Sequence, residues 1–417
     1  MSQSISLDQI VPLLIKSNSQ KPDITVLCGG TGSGQIIKEL QDYFQVSILI
    51  NAYDDGKSTG KIRDAFDMLG PSDIVKNITT LIDTKRYPGL EAFLDYRFIN
   101  NNPSDNLMIK EEITAILEDR PVNPALRKGG RFLGLYYGLE KEFVQYIKSY
   151  FDQFYSNLPK SFDLRDCATR NVVFTGCFLK NEKNYEKTID ELRDLFGINT
   201  KIILNSHENR KLIALSENGA VLPSEHEILE YNSNDELTDL FVIKEPLTKK
   251  QLSEINSLNA YKEKKSYISS HCNTSIEPNP LAVSKLEQSD VILFGPTTYN
   301  SSLLPTLMTP GINEAIRGNA IKVGIINLIK EQSNVTASYF PKKIKEAGNI
   351  NLDYILVSNY NGYITDDLVP VDDIELQKYG NIIKENFYAG FGKHQPDFVA
   401  KTVFLLYSLS KNGRKRN

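Results

Sequence analysis

Six short apolar runs rich in β-branched residues, at 24–28, 46–51, 201–204, 291–294, 322–327 and 354–357, recur along the chain with helical patterns between most of them. That alternation predicts an α/β fold: a doubly wound, largely parallel, Rossmann-like sheet with helices on its faces. Sheets of this kind bind ligands outside the carboxyl ends of their strands, where loops from the two sides meet. The loops after Cys28, Asn51 and Phe294 are therefore the ones to read for function.

At 417 residues the chain is long enough for one large domain, 1–417, and a helical insertion within it is expected at 90–160. There the pattern turns helical and aromatic, as in Arg131-Phe-Leu-Gly-Leu-Tyr-Tyr137 followed by Phe143, Tyr146, Ile147, Tyr150 and Phe151. The segment 212–222 carries a turn dipeptide, Asn218-Gly219, between two apolar runs and predicts a small β-hairpin decorating the sheet. A short surface helix is expected within 1–19.

Composition excludes some classes of function. Hydrophobic residues at 41% and charged residues at 24% are ordinary for a globular protein, and no stretch is apolar long enough to cross a bilayer. Cys28, Cys167, Cys177 and Cys272 share no metal-ligand spacing and read as reduced core thiols, so a cytoplasmic protein is expected. A net charge of −4 offers no general basic field. The cluster Lys411-Asn-Gly-Arg-Lys-Arg416 reads as a solvated end, so neither nucleic acid nor a membrane is an expected partner. A small-molecule nucleotide is, and a homo-oligomer is left open.

The run at 24–28 leads into Gly29-Gly-Thr-Gly-Ser-Gly34 and then a helical pattern. Glycines permit close backbone approach, and a helix start presents free N–H groups, so an anion such as a phosphate suits this loop. It has neither the GxGxxG register of a dinucleotide fold nor the Gly-Lys-Ser/Thr ending of a P-loop, and a tight turn without ligand is the plainer reading. Asp54-Asp55-Gly56 ends the second run: two carboxylates suited to Mg²⁺, a sugar hydroxyl or a proton, or simply an exposed turn. Lys57-Ser58-Thr-Gly-Lys61-Ile-Arg63 follows, a frame for phosphate or equally a solvated helix face. Pro71-Ser-Asp73 should open a helix with Asp73 in its first turn, where the dipole alone favours an acid.

The third loop, Phe294-Gly295-Pro-Thr297-Thr298-Tyr-Asn-Ser301-Ser302, loads a turn with hydroxyl and amide groups able to hold a phosphate or sugar without charge. Helix capping by Asn300 or Ser301 would explain one of these residues, not the series. The histidines at 207, 226, 271 and 394 form no i, i+4 pair, and no Gly-x-Ser-x-Gly elbow appears, which disfavours zinc and serine hydrolysis. An acid about twenty residues after the glycine loop suggests a nicotinamide enzyme, but the glycine register opposes it.

Taken in order, Gly29-Gly-Thr-Gly32, Ala52-Tyr-Asp-Asp-Gly-Lys-Ser-Thr-Gly-Lys-Ile-Arg63, Pro71-Ser-Asp-Ile-Val-Lys-Asn77 and the loop from Phe294 to Pro305 resemble the family of 2-phospho-L-lactate transferases and gluconeogenesis factors. Asn279-Pro280, Thr309-Pro-Gly-Ile-Asn-Glu-Ala-Ile-Arg317 and Ile325-Ile-Asn-Leu-Ile329 extend the likeness over about 24–345. The resemblance implies a Rossmann-like sheet holding a nucleotide or a nucleotide sugar of the UDP type, in a regulatory role. Its alternative is Mg²⁺-dependent transfer of a phosphate-linked group from a nucleotidyl donor to an acceptor hydroxyl. By motif, Asp54, Asp55 and Asp73 would serve metal, acceptor or catalysis, with Asp54 and Asp55 on the metal. Gly29, Gly30, Thr31, Gly32, Ser33, Lys57, Ser58, Asn77, Asn171, Gly295, Thr297, Thr298, Ser301 and Ser302 would cradle the ligand. Where the regulator branch carries Gly-His-Ser-Leu-Gly-Asn, this chain has Asp166-Cys-Ala-Thr-Arg-Asn171 and keeps the asparagine.

Overall fold

The structure, a computed structural model, describes residues 7–17, 20–30, 32–123, 131–231, 236–332, 335–362 and 365–414. The chain divides into two compact units, a sheet unit of Met1–Tyr53 with Thr200–Asn417 and a helical unit of Asp54–Asn199.

The sheet unit is built on seven strands in the order Asn381–Glu385, Tyr354–Ser358, Ile321–Ile325, Val291–Phe294, Asp23–Leu27, Gln45–Ile50, Lys201–Leu204. All six neighbouring pairs are parallel. Such strands are buried on both faces and read as continuous apolar runs, which is why Val291-Ile-Leu-Phe294 is entirely buried. The chain winds from Asp23–Leu27 to one edge, then returns to pair Val291–Phe294 with the opposite side of the first strand and winds to the other edge. The order reverses between those two central strands. That is the topological switch point of a Rossmann-type sheet.

One core of the sheet unit gathers Leu27, Leu49, Ile292 and Phe294 of the strands with Leu286, Phe340 and Ile344 of the helices Pro280–Gln288 and Tyr339–Gly348. The helix Pro396–Arg414 packs on Gly34–Leu40, with Phe404 against Phe44 at 5.6 Å between ring centroids. The helix continues through Lys411 to Arg414, and Lys411 is exposed. The N-terminal helix is present as Leu7–Ser17.

The expected hairpin forms from Lys211–Ser216 and Val221–Leu222, with Gly219 at φ +82° in its turn. A third strand, Leu237–Ile243, joins the other edge of Lys211–Ser216 and makes an antiparallel sheet with a small core of its own around Phe241, Ile255 and Ile268.

The helical unit contains the residues 90–160 expected as an insertion, within a longer run of helices from Lys57–Phe66 to Tyr185–Leu195. Its interior is aromatic: Phe132 lies 5.8 Å from both Phe93 and Phe151, and Phe66 lies 5.2 Å from Phe154. Gly176, on the helix Thr169–Lys180, is required by close packing on the helix Lys141–Ser156, since a Cβ there would run into the carbonyl oxygen of Tyr150. Among the described residues no helix is long and apolar enough to cross a membrane.

Candidate functional site

In the sheet unit, the predicted binding residues of the first and last loops come together at the switch point. The ladder continues past the first strand, with Cys28 N–H donating to the Leu49 carbonyl at 3.2 Å. Gly295 N–H, at φ +76°, donates to the Leu27 carbonyl at 3.0 Å. The two loops then touch. A Cβ on Gly29 would strike Ser302 Oγ and lie 2.9 Å from Thr297 Oγ1, and a Cβ on Gly32 would lie 2.9 Å from the Pro296 carbonyl oxygen. These glycines serve close approach of one loop to the other, which side chains would prevent. Gly30 is half-buried, while Thr31 lies outside the described residues.

The later loop enters a π-helical turn, Tyr299–Leu303. Thr298 Oγ1 lies 2.7 Å from Ser301 Oγ and 2.8 Å from Ser302 Oγ, so three of the four predicted hydroxyls share one cluster. Asn51, at the end of Gln45–Ile50, donates through Nδ2 to the Ser302 carbonyl and anchors the turn to the second strand. Ser33 Oγ is buried and has no hydrogen-bond partner among the described residues. A buried hydroxyl without a protein partner is uncommon in a folded protein, and either a water or a ligand atom would complete its bonding.

Asn327 and Glu331, neither singled out as a binding residue from the sequence, hold the same loop. Asn327 exchanges two hydrogen bonds with the Thr297 backbone, at 3.1 and 2.7 Å, and donates to Glu331 Oε1 at 2.7 Å. Both Glu331 oxygens accept from Tyr299 N–H at 2.9 Å. Burial pushes the Glu331 carboxyl up to about 7, against the lowering effect of these donors. Asn327 lies in the quoted run 325–329 and so had a signal; Glu331 had none.

In the helical unit, two of the predicted acids, Asp54 and Asp55, lie near an arginine, Arg63. Asp54 Oδ1 accepts from Gly56 N–H at 3.0 Å, and its carbonyl accepts from Arg63 Nη1 at 3.3 Å. Arg63 is fully buried, not on a solvated helix face. Burial lowers its pKa, and the negative charges of Asp55, Asp54 and Asp64 oppose that. Asp55 packs its backbone on Gly60, where a Cβ would strike the Asp55 carbonyl oxygen.

Asp73 sits in the first turn of the helix Pro71–Leu81 and pairs with Lys76 at 3.2 Å. Its carboxyl is pushed up by burial and further by Asp54, while Lys76 pulls it down. Asn77, buried, donates back to the Asp73 carbonyl at 2.8 Å. Lys57 opens its helix, and Ser58 beside it is buried and accepts from Arg97 Nη1 at 3.3 Å. Asn171 is buried on Thr169–Lys180 with no partner for Oδ1 among the described residues. Among the described residues no group of three or more His, Cys, Asp or Glu is arranged to hold a metal ion. Asp54 and Asp55 alone offer two carboxylates. That suits Mg²⁺, which takes one or two protein carboxylates and leaves its other positions to water and phosphate.

The family model described as 2-phospho-L-lactate transferase CofD matches residues 24–382. The chain belongs to the CofD family. The match opens in the first strand and ends at Ile382, two residues into Asn381–Glu385, so the helical unit and nearly all of the parallel sheet apart from that edge strand lie within the CofD region. CofD-family relatives provisionally named gluconeogenesis factors include one from Clostridium acetobutylicum, 23% identical over 94% of this chain and 70% of the relative. Another, from Aquifex aeolicus, is 22% identical over 76% of this chain and 72% of its own length. A crystal structure of a UPF0052-family protein from Bacillus halodurans superposes with a TM-score of 0.64 at 20% identity, covering 93% of this chain and all of that one. At that identity the likeness speaks for the fold.

Proposed function

We propose that this CofD-family protein binds a nucleotide or a nucleotide sugar of the UDP type at the switch point of its sheet, in a regulatory role in the cytoplasm. The observation that carries the proposal is the meeting of two loops there: Gly29 and Gly32 lie directly against Pro296, Thr297 and Ser302, beside an unpartnered, buried Ser33 hydroxyl. Hydroxyls and backbone N–H groups suit a diphosphate ester, whose oxygens accept hydrogen bonds. The provisional name of the relatives favours regulation, and thiols not joined in disulfides favour the cytoplasm. Thermal unfolding with UDP-sugars, GDP and NAD tests the reading. Ligand at a hundredfold excess over its Kd should add about 2.7 kcal/mol of stability, and no response to any of the three would refute it.

A second reading is Mg²⁺-dependent transfer of a phosphate-linked group to an acceptor hydroxyl. It is favoured by the half-buried Asp73, held less acidic than an ordinary carboxyl by its surroundings and by Asp54. In that reading Asp54 and Asp55 would hold the cation, which would supply charge neutralisation, and Asp73 would orient the acceptor. Asp55→Asn should then abolish turnover while nucleotide affinity changes little; surviving turnover would exclude that role for Asp55.

A further inference from the structure

The loop after Ile321–Ile325 reaches back to the loop after Val291–Phe294 through two side chains. Asn327 accepts from Thr297 N–H at 3.1 Å and donates to the Thr297 carbonyl at 2.7 Å, so both faces of one peptide unit's neighbourhood are fixed by one amide. Its Nδ2 also donates to Glu331 Oε1 at 2.7 Å, and Glu331 in turn receives Tyr299 N–H on both oxygens. The backbone at 297–299 is therefore held by Asn327 and Glu331, and the same segment is what Gly29 and Gly32 press against.

We infer that Asn327 and Glu331 are positioning residues for the nucleotide loop, and that the ionised form of Glu331 is the one that holds it. The inference rests on the nucleotide reading for its functional consequence, not for the positioning itself. A charged acceptor makes a stronger bond to an N–H than a neutral amide does. Tyr299 opens the turn Tyr299–Leu303, whose first N–H groups have no partner within the turn, so an acceptor is needed there.

The surroundings of Glu331 tell a structural from a positioning role. Burial dominates its ionisation, raising it to about 7, and among the described residues the opposing contributions come from Tyr299 and Asn300 N–H and from Asn327. The titratable groups facing it are the phenols of Tyr299 and Tyr339, which also feel Glu236 and Glu346. Lys343, the nearby cation, is engaged with Glu236 at 2.6 Å and Glu346 at 3.7 Å. A carboxyl whose folded pKa is raised stabilises the fold fully below its unfolded value and loses that contribution as pH rises through about 7. At pH 8 the ionised side chain is thus a cost to stability. Glu331→Gln removes that cost and weakens the hold on Tyr299. A residue that served stability alone could not be replaced with that pair of effects.

The test uses the full chain, with hydrogen exchange of the peptide covering 297–303 and calorimetric titration with UDP-glucose at pH 6, 7 and 8. In the wild type, affinity should rise with pH across that range. In Glu331→Gln, exchange at Tyr299 should speed at least tenfold, affinity at pH 8 should fall at least tenfold, the pH profile should flatten, and Tm should hold or rise. Asn327→Ala should move exchange and affinity the same way. Unchanged exchange in both variants overturns the inference, as does a Gln variant that keeps the wild-type pH profile. If exchange responds as expected but the wild type binds no nucleotide at any pH, the positioning stands and the nucleotide reading fails.

Discussion

Gly29 has a steric reason to be glycine that owes nothing to backbone conformation: the space for a Cβ is taken by Ser302 Oγ, with Thr297 Oγ1 at 2.9 Å. Gly29→Ala should therefore cost about 1–3 kcal/mol in urea unfolding, the range for forcing extra volume into a packed region. Ser302→Ala removes the clashing oxygen, so the double variant should be less destabilised than the sum of the singles, with a coupling of about 0.5–3 kcal/mol. Additive losses would show that the two loops do not press on each other as described. Glycines and clustered hydroxyls are residue types that announce themselves in a sequence, which is why Gly29, Gly32, Thr297 and Ser302 were legible there. Arg63 was not. In Lys57–Phe66 a cation beside small hydroxyls looks like a solvated helix face, and only its burial among Asp54, Asp55 and Asp64 reveals otherwise. Glu331 was hidden for a related reason, since the backbone N–H it holds in the binding loop is thirty-two positions away, where no spacing rule connects the two.

The strands that were easy to read are those with an unbroken apolar run. Val291–Phe294, buried throughout, has the bounds expected of it, because a continuous apolar run between polar turns leaves few alternatives. Lys201–Leu204 is an edge strand and keeps its expected bounds because Ile202, Ile203 and Leu204 continue such a run. Asn381–Glu385, at the other edge, escaped because it is half-exposed, with Asn, Lys and Glu among its five residues. Just beyond it the antiparallel hairpin of Tyr388–Gly390 and Lys393–His394 is fastened to the end of Ile321–Ile325, where His394 donates through Nε2 to the Ile326 carbonyl at 3.1 Å. Burial pushes the His394 imidazole down to about 4. A histidine with a lowered folded pKa contributes stability that is present above its unfolded value near 6.5 and lost as pH falls toward 4. Wild-type stability should thus decline over that window by at most about 1.4 kcal/mol per pH unit from this one group. His394→Gln should shed this part of the acid sensitivity in denaturant titrations at pH 7, 6 and 5. An identical slope in both proteins would mean that His394 does not set it.

The helical unit is one continuous stretch, Asp54–Asn199, whereas the sheet unit is assembled from the two segments on either side of it. The continuous unit has its own aromatic core, with Phe93, Phe132 and Phe151 packed on one another. A fragment of residues 54–199 should accordingly give a helical circular dichroism spectrum and a cooperative melt; a featureless, non-cooperative spectrum would show that its core is insufficient alone. Residues 200–417 alone should not fold, because they lack the central strands Asp23–Leu27 and Gln45–Ile50. The same arrangement has a consequence on the ribosome. The first two strands can pair with each other as soon as they emerge, but the remaining partner of Gln45–Ile50 is Lys201–Leu204, on the far side of the helical unit, and that of Asp23–Leu27 is Val291–Phe294, later still. At about 5–20 residues translated per second, the nascent two-stranded ribbon waits on the order of ten seconds with both apolar edges open. For that interval the open strand edges can pair with neighbouring nascent chains, a risk that ends only when the later strands arrive.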